Sequence, residues 1–185
     1  GLVTANTGTY TFTVTNTDGC TSSVSSSIVV NSQPATPSAP VAGTITQPTC
    51  SVTTGSFTID NYISTSTYNF TPTGPTVDVT TGEVTLLDAG ITYSFTETNA
   101  VGCESAASAD VVIDAQPVTP SASISGSVTQ PSCATATGSF TIASYNAANT
   151  YTFTPSVVST SASGLVTANT GTYTFTVTNT DGCTS

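Results

Sequence analysis

An all-β chain built from tandem antiparallel β-sandwich repeats is what three features of the 185-residue sequence predict. Apolar and hydroxyl residues alternate with a period of two in many short stretches. Gly- and Asp-rich turns separate these stretches at roughly 8–12 residue intervals, the spacing of a sandwich. The sequence also repeats itself: Gly1–Ser22 recurs letter for letter as Gly164–Ser185.

The repeat has a second register. Gln47-Pro48-Thr49-Cys50, followed by Gly55-Ser56-Phe57-Thr58-Ile59, returns as Gln130-Pro131-Ser132-Cys133 and Gly138-Ser139-Phe140-Thr141-Ile142, a step of 83. Cys20 to Cys103 is again 83, Cys103 to Cys183 is 80, and the two steps span the 163 between the identical ends. Two slightly different modules therefore alternate, and the chain is expected to be a window on a longer tandem array.

Taken in order, the clearest strand is Thr9–Thr15, where Tyr10, Phe12 and Val14 alternate with Thr. One face of such a strand packs on a core and the other meets water. The same alternation predicts strands at Thr67–Thr71, Thr76–Val79, Ile91–Phe95 and Thr150–Thr154, and Ser56–Ile59 and Ser139–Ile142 put Phe and Ile on one face. Weaker signals mark Val41–Thr46, Glu83–Leu86 and Ala109–Ile113. No segment has helical spacing. Two Pro-rich stretches, Gln33–Pro40 and Gln116–Ser121, read as extended connectors, because Pro fixes φ and removes a ladder donor. They divide the chain into the tail of one module (1–34), a complete module (36–117) and a third that lacks its last strand (119–185).

Composition removes most chemistry. There is no Lys, Arg or His, and ten Asp and Glu give a net charge of −10. Imidazole and amine bases, Schiff-base amines and His metal ligands are thus ruled out, and the abundant Ser and Thr have no base to activate them. The expectation is no enzyme. Phosphate backbones and anionic lipid heads would be repelled, so neither nucleic acid nor a membrane surface is an expected partner. Thr makes up roughly a quarter of the chain and suits the wet face of a sheet. No apolar run reaches the ~20 residues that span a bilayer.

Five cysteines with no Cys-x-x-Cys and no His read as disulfides in an oxidising, extracellular setting. Three follow Gly (Cys20, Cys103, Cys183) and two follow Pro-Thr or Pro-Ser (Cys50, Cys133). One pair per module gives Cys50–Cys103 and Cys133–Cys183, with the partner of Cys20 outside the window. The alternative turns on strand parity. An even number of strands between the two cysteines of a module puts them at the same end. An odd number puts them at opposite ends and favours an inter-module Cys50–Cys183 bridge. The intra-module scheme is preferred because the cysteines come paired per repeat.

Leu86–Tyr93 resembles the corner before strand F of immunoglobulin-like and fibronectin-III-like domains, where a Tyr hydroxyl bonds back to the chain just upstream. Tyr10, Tyr93 and Tyr173 are the candidates for this structural role. The full expectation is therefore an elongated rod of immunoglobulin/fibronectin-III-like modules.

Two motifs carry a further resemblance. Pro-Thr/Ser-Cys running into Gly-Ser-Phe-Thr-Ile, then Ala-Gly-Ile-Thr-Tyr or Thr-Gly-Thr-Tyr before Asn-Thr-Asp-Gly-Cys, is similar to the repeats of SprB-type adhesins. Those are giant surface proteins of gliding bacteria, exported by the type IX secretion system. Where that family commonly has an aromatic-rich strand ending in Trp, this chain has Tyr68-Asn69-Phe70 and Tyr151-Thr152-Phe153. The resemblance implies a filament on the bacterial cell surface, attached to the outer membrane. Its implied partners are neighbouring repeats, an external surface or polysaccharide reached through an unseen tip, and motility or secretion machinery reached through an unseen anchor.

The remaining candidates read as structural. Glu97 holds the inward phase where the sister repeats have Val14 and Val177, and is expected at a frayed, solvated strand end rather than buried as a ligand. No cofactor is expected. Calcium would suit an acidic adhesin, yet Asp60, Asp78, Asp88, Asp110 and Asp114 are scattered and form no Asp-x-Asp-x-Asp loop. Asp18-Gly19 and Asp181-Gly182 read as turns. Asn69-Phe70-Thr71 fits the N-glycosylation sequon inside a strand. Lys–Asn isopeptide crosslinks are impossible without Lys. The functional expectation is a mechanical stalk. The rivals are modules that themselves bind polysaccharide, against which the core phase of Tyr and Phe counts, and a lattice-forming surface coat.

Overall fold

A computed structural model describes residues 1–121, 125–157 and 159–185, and none of these is helical. The described residues form fourteen strands in five antiparallel sheets. Residues 1–34 contribute a single hairpin-like pair, β1 (Gly8–Tyr10) and β2 (Ile28–Val30). The complete module contains β3 (Thr54–Thr58), β4 (Thr67–Thr71), β5 (Thr76–Val77), β6 (Glu83–Asp88), β7 (Thr92–Thr98) and β8 (Val111–Val112). The third module contains β9 (Ser125–Thr129), β10 (Gly138–Ile142), β11 (Thr150–Thr154), β12 (Ser159–Thr160), β13 (Leu165–Ala168) and β14 (Thr174–Thr178).

The middle module is two three-stranded sheets, β3-β6-β5 and β4-β7-β8, sharing one core, an arrangement consistent with a β-sandwich. Phe57, Ile59, Val84 and Leu87 come from the first sheet and its flank, and Phe70, Tyr93, Phe95, Val111 and Ile113 from the second. Phe95 sits at the centre, with ring centroids 4.9 Å from Phe70 within its sheet and 5.5 Å from Phe57 across the core. The alternation that predicted the strands is what turns these rings inward, leaving Thr67, Thr71 and Thr92 at the surface. The third module repeats the plan as β12-β13-β10-β9 and β11-β14, and there β14 pairs with β11 alone.

Several elements differ from their predicted extents. The strand expected over Thr9–Thr15 shrinks to Gly8–Tyr10, because the first copy has no counterpart of β4 or β11 to pair with. Strand formation belongs to the pair and not to the segment. Thr76–Val79 stops at Val77, because the Asp78 carboxylate captures the amides of Thr80 and Thr81 and bends the chain into a turn. Val41–Thr46, flanked by Pro40 and Pro48, makes only the isolated bridges Ala42–Ile59 and Thr46–Ser56, whereas its equivalent in the third module is the strand β9.

Strand β6 extends past its expected end to Asp88 and carries a bulge. Gly55 pairs with Leu87 but Phe57 pairs with Val84, so β6 spends one residue more than β3 across this step. Leu86 takes up the difference at φ 61°. Strict alternation would bury Val84 and Leu86. The bulge instead buries Val84 and Leu87 and leaves Leu86 54% exposed. Just before β6, Gly82 sits at φ 73° with the Tyr62 ring packed over it, and Gly164 and Tyr145 repeat this in the third module. A Cβ at either glycine would meet the ring, so only glycine fits.

Two predictions follow from the bulge and the glycine. Leu87→Ala should cost about 2–5 kcal/mol in urea denaturation, while Leu86→Ala next to it should cost under ~1 kcal/mol. Equal losses would contradict the bulge. Gly82→Ala should destabilise by more than ~1 kcal/mol, and Tyr62→Ala in the same chain should relieve part of that loss.

Candidate functional site: a joint between modules

Strand parity decides where the cysteines lie. Five strands, β3 to β7, separate Cys50 from Cys103, and every pairing among them is antiparallel. Strand β7 begins at Thr92 opposite Val112, to which Gln47 is bonded, so β7 runs away from the Cys50 end. An odd number puts the two cysteines at opposite ends of the module. The expected Cys50–Cys103 pair is therefore not formed, nor is Cys133–Cys183, which five strands, β10 to β14, also separate. Cys50 is instead bonded to Cys183 of the next module, 133 residues away, with Cα atoms 5.5 Å apart. Cys20 and Cys133 are free and exposed, and Cys103 is free and half-buried.

The bridge is one of three ties at this joint. Gln47 first pins the end of the module, its Nε2 donating to the Val112 carbonyl at 3.0 Å and its Oε1 accepting from the Asp114 amide at 2.9 Å. Gln116, entering the connector, donates through Nε2 to the Thr49 carbonyl at 3.2 Å, beside Cys50. From the following module, Asn179 Nδ2 donates to the Val118 carbonyl at 2.9 Å. Asn179 also builds the turn that presents Cys183: its Oδ1 accepts from the Asp181 and Cys183 amides, and its own amide donates to the Cys183 carbonyl at 3.0 Å.

The same turn occurs before every Gly-Cys. Asn16 accepts from the Cys20 amide and Asn99 from the Cys103 amide, both at 2.9 Å. Asn99 Nδ2 reaches the Ala35 carbonyl of the first connector at 3.0 Å, as Asn179 reaches Val118 in the second. Reasoning from the sequence overlooked Gln116 and these asparagines. Their signal was present, since Gln33 and Gln116, and Asn16, Asn99 and Asn179, recur at the same steps as the cysteines.

The three tyrosines bond to backbone just upstream. Tyr93 Oη accepts from the Asp88 amide at 3.0 Å, while Tyr10 donates to the Asn6 carbonyl at 2.8 Å and Tyr173 to the Asn169 carbonyl at 3.1 Å. Each hydroxyl holds the turn that leads into its own strand.

Glu97 overturns its expectation. It is 1% exposed, not solvated, because β7 continues three residues past its predicted end at Phe95, to Thr98, and carries the side chain inward. Its Oε1 accepts from Ser66 Oγ at 2.7 Å. Ser66 stands where the third module has Asn149, and Glu97 where it has Val177, so donor and acceptor both differ between the two modules. With Ala35, Pro37, Ile63 and Asn99 the pair lines a recess beside the first connector. Burial raises the pKa of Tyr68, which lies opposite Glu97 on β4; the Ile63 amide opposes that rise and the Glu97 charge adds to it.

Of the five aspartates considered for calcium, Asp78 makes the turn before β6, and its carboxylate is held down to a pKa of about 2 by the Thr80 hydroxyl and amide and the Thr81 amide. Among the described residues, no three His, Cys, Asp or Glu side chains are grouped to hold a metal. Asn69 is an exposed residue of β4 paired with Thr96.

Ser66→Ala should leave the buried Glu97 without its donor and cost about 1–3 kcal/mol, whereas Glu97→Val, the residue of the sister repeats, should be neutral or stabilising. Denaturant midpoints of both variants check this. Asp78 is depressed in the folded state, so its contribution is present above the unfolded carboxylate value and is lost as pH falls toward about 2. Carboxyl NMR should place its midpoint there, and Thr80→Ala should move that midpoint upward. The chain matches no family model and no curated protein.

Proposed function

We propose that this chain is a length of stalk in a giant bacterial surface adhesin, outside the cell, supporting attachment and gliding motility. The observation that carries the reading is the joint: Cys50–Cys183 ties successive modules, while Gln116 on Thr49 and Asn179 on Val118 hold the short connector to the module on either side. A binding module needs a site. A stalk needs modules whose two poles connect, and repetition at fixed spacing supplies length in proportion to repeat number. The resemblance of the Pro-x-Cys and Asn-Thr-Asp-Gly-Cys motifs to SprB-type repeats supports the same reading, with type IX export as the implied route. Each module adds roughly 35–40 Å, from strands at about 3.3 Å per residue plus loops. Surface contact falls to a tip and anchorage to a base at the two ends of the array. The high negative charge keeps neighbouring stalks apart.

Electron microscopy of material sheared from the producing cells tests this. Isolated filaments with an axial period of roughly 35–40 Å are expected, and two-dimensional sheets would mean a coat protein instead. Saturable binding on a glycan array would instead make the modules themselves the adhesive element. A second test uses reduction. Breaking Cys50–Cys183 should leave the far-ultraviolet circular dichroism of the chain unchanged while small-angle scattering shows a broader distribution of lengths, and Cys50→Ser should reproduce the effect.

A further inference from the structure

We infer that the array follows one staggered pairing rule: the Pro-x-Cys of each module bonds to the Gly-Cys of the module after it. Cys20, Cys103 and Cys133 are then bonding positions, and their partners are the corresponding cysteines of neighbouring repeats. Cys103 takes the Pro-x-Cys of the module before it, and Cys133 takes the Gly-Cys of the module that follows.

Four observations carry the rule. The bridge seen, Cys50 to Cys183, already has this form. The Asn-based turn that presents Cys183 is reproduced around Cys20 and Cys103, with the same amide accepted at the same 2.9 Å. Cys103 also lies at the connector joint that its sister occupies, because Asn99 holds Ala35 as Asn179 holds Val118. Finally, five strands between the cysteines of each module aim Cys133 away from the module to which Cys183 is joined. The free cysteines are accessible for this chemistry, two exposed and one half-buried. Each bridge takes two protons and two electrons from a pair of thiols, and a disulfide-form thiol oxidant receives them by exchange.

The numbers give the rule a mechanical meaning. A bridge skips 133 residues, and the backbone from Cys103 to Cys133 is 30 residues, which together make the 163-residue period. A pull on the oxidised array therefore travels from bridge to bridge through only 30 residues of open chain per two modules. Fully extended, that segment reaches about 100 Å at about 3.4 Å per residue, against about 550 Å for the unbridged period. Folded modules would occupy about 70–80 Å of that axis. The crosslinks thus hold the array to about 100 Å per period, rather than about 550 Å, even where modules unfold. None of this depends on what the stalk attaches to.

The test joins residues 1–163 in front of residues 1–185, a fusion that creates no new sequence because 164–185 repeats 1–22. After oxidation, the free thiols are alkylated and the chain is cut without reduction by an Asp-specific protease and chymotrypsin. The expected map links Cys133 of the first copy to Cys103 of the second. Cys103→Ser in the second copy should abolish that linked peptide, and the same change in the first copy should leave it intact. Cys133 linked instead to the Gly-Cys of its own module, or alkylated in both copies, would overturn the rule.

Discussion

Antiparallel alternation over an odd number of strands puts the beginning and end of each module at opposite poles, and the rest of the organisation depends on that constraint. A module whose cysteines lay at one pole would staple itself and leave its neighbours to a flexible connector. With five strands between them, Cys50 and Cys103 cannot meet, so Cys50 is available to the next module and Cys103 faces the previous one. Gln47, Gln116 and Asn179 then hold the backbone on either side of the bridge by hydrogen bonds.

Each module is held without a single side-chain cation. Its stability comes from ladders of backbone hydrogen bonds and from aromatic packing around Phe95, with Thr on the wet faces. A small module buries a limited fraction of its surface, which makes covalent ties between modules valuable. The same economy explains Glu97. With no cation in the chain to pair with, the buried Glu97 side chain takes its hydrogen bond from the Ser66 hydroxyl instead.

Much of this was legible in the residues. Period-two alternation located β4, β7, β10 and β11 well, because large apolar residues separated by a single polar one leave few other arrangements. Boundaries depended on partners and turns. Asp78 ended β5 early by capturing two amides, and the bulge at Leu86 exchanged which leucine entered the core. The pairing of the cysteines was legible only as a question of parity. Counting strands required knowing that β5 and β6 both form, and β6 carried one of the weaker signals.

The identical ends of the chain separate the two kinds of information. Residues 1–22 and 164–185 share every side chain, and the sequence alone determined their alternation, their turns at Asp18-Gly19 and Asp181-Gly182, and the Tyr10 and Tyr173 bonds to backbone four residues upstream. Burial and strand formation were decided by tertiary structure. Val166 is 0% exposed and Val3 86%; Val177 is 2% exposed and Val14 59%. The reason is that local hydrogen bonds are satisfied within a few residues, whereas a strand edge and an apolar face need partners from elsewhere in the chain, which β10, β11 and β12 provide to residues 164–185, while residues 1–22 receive only the short β2.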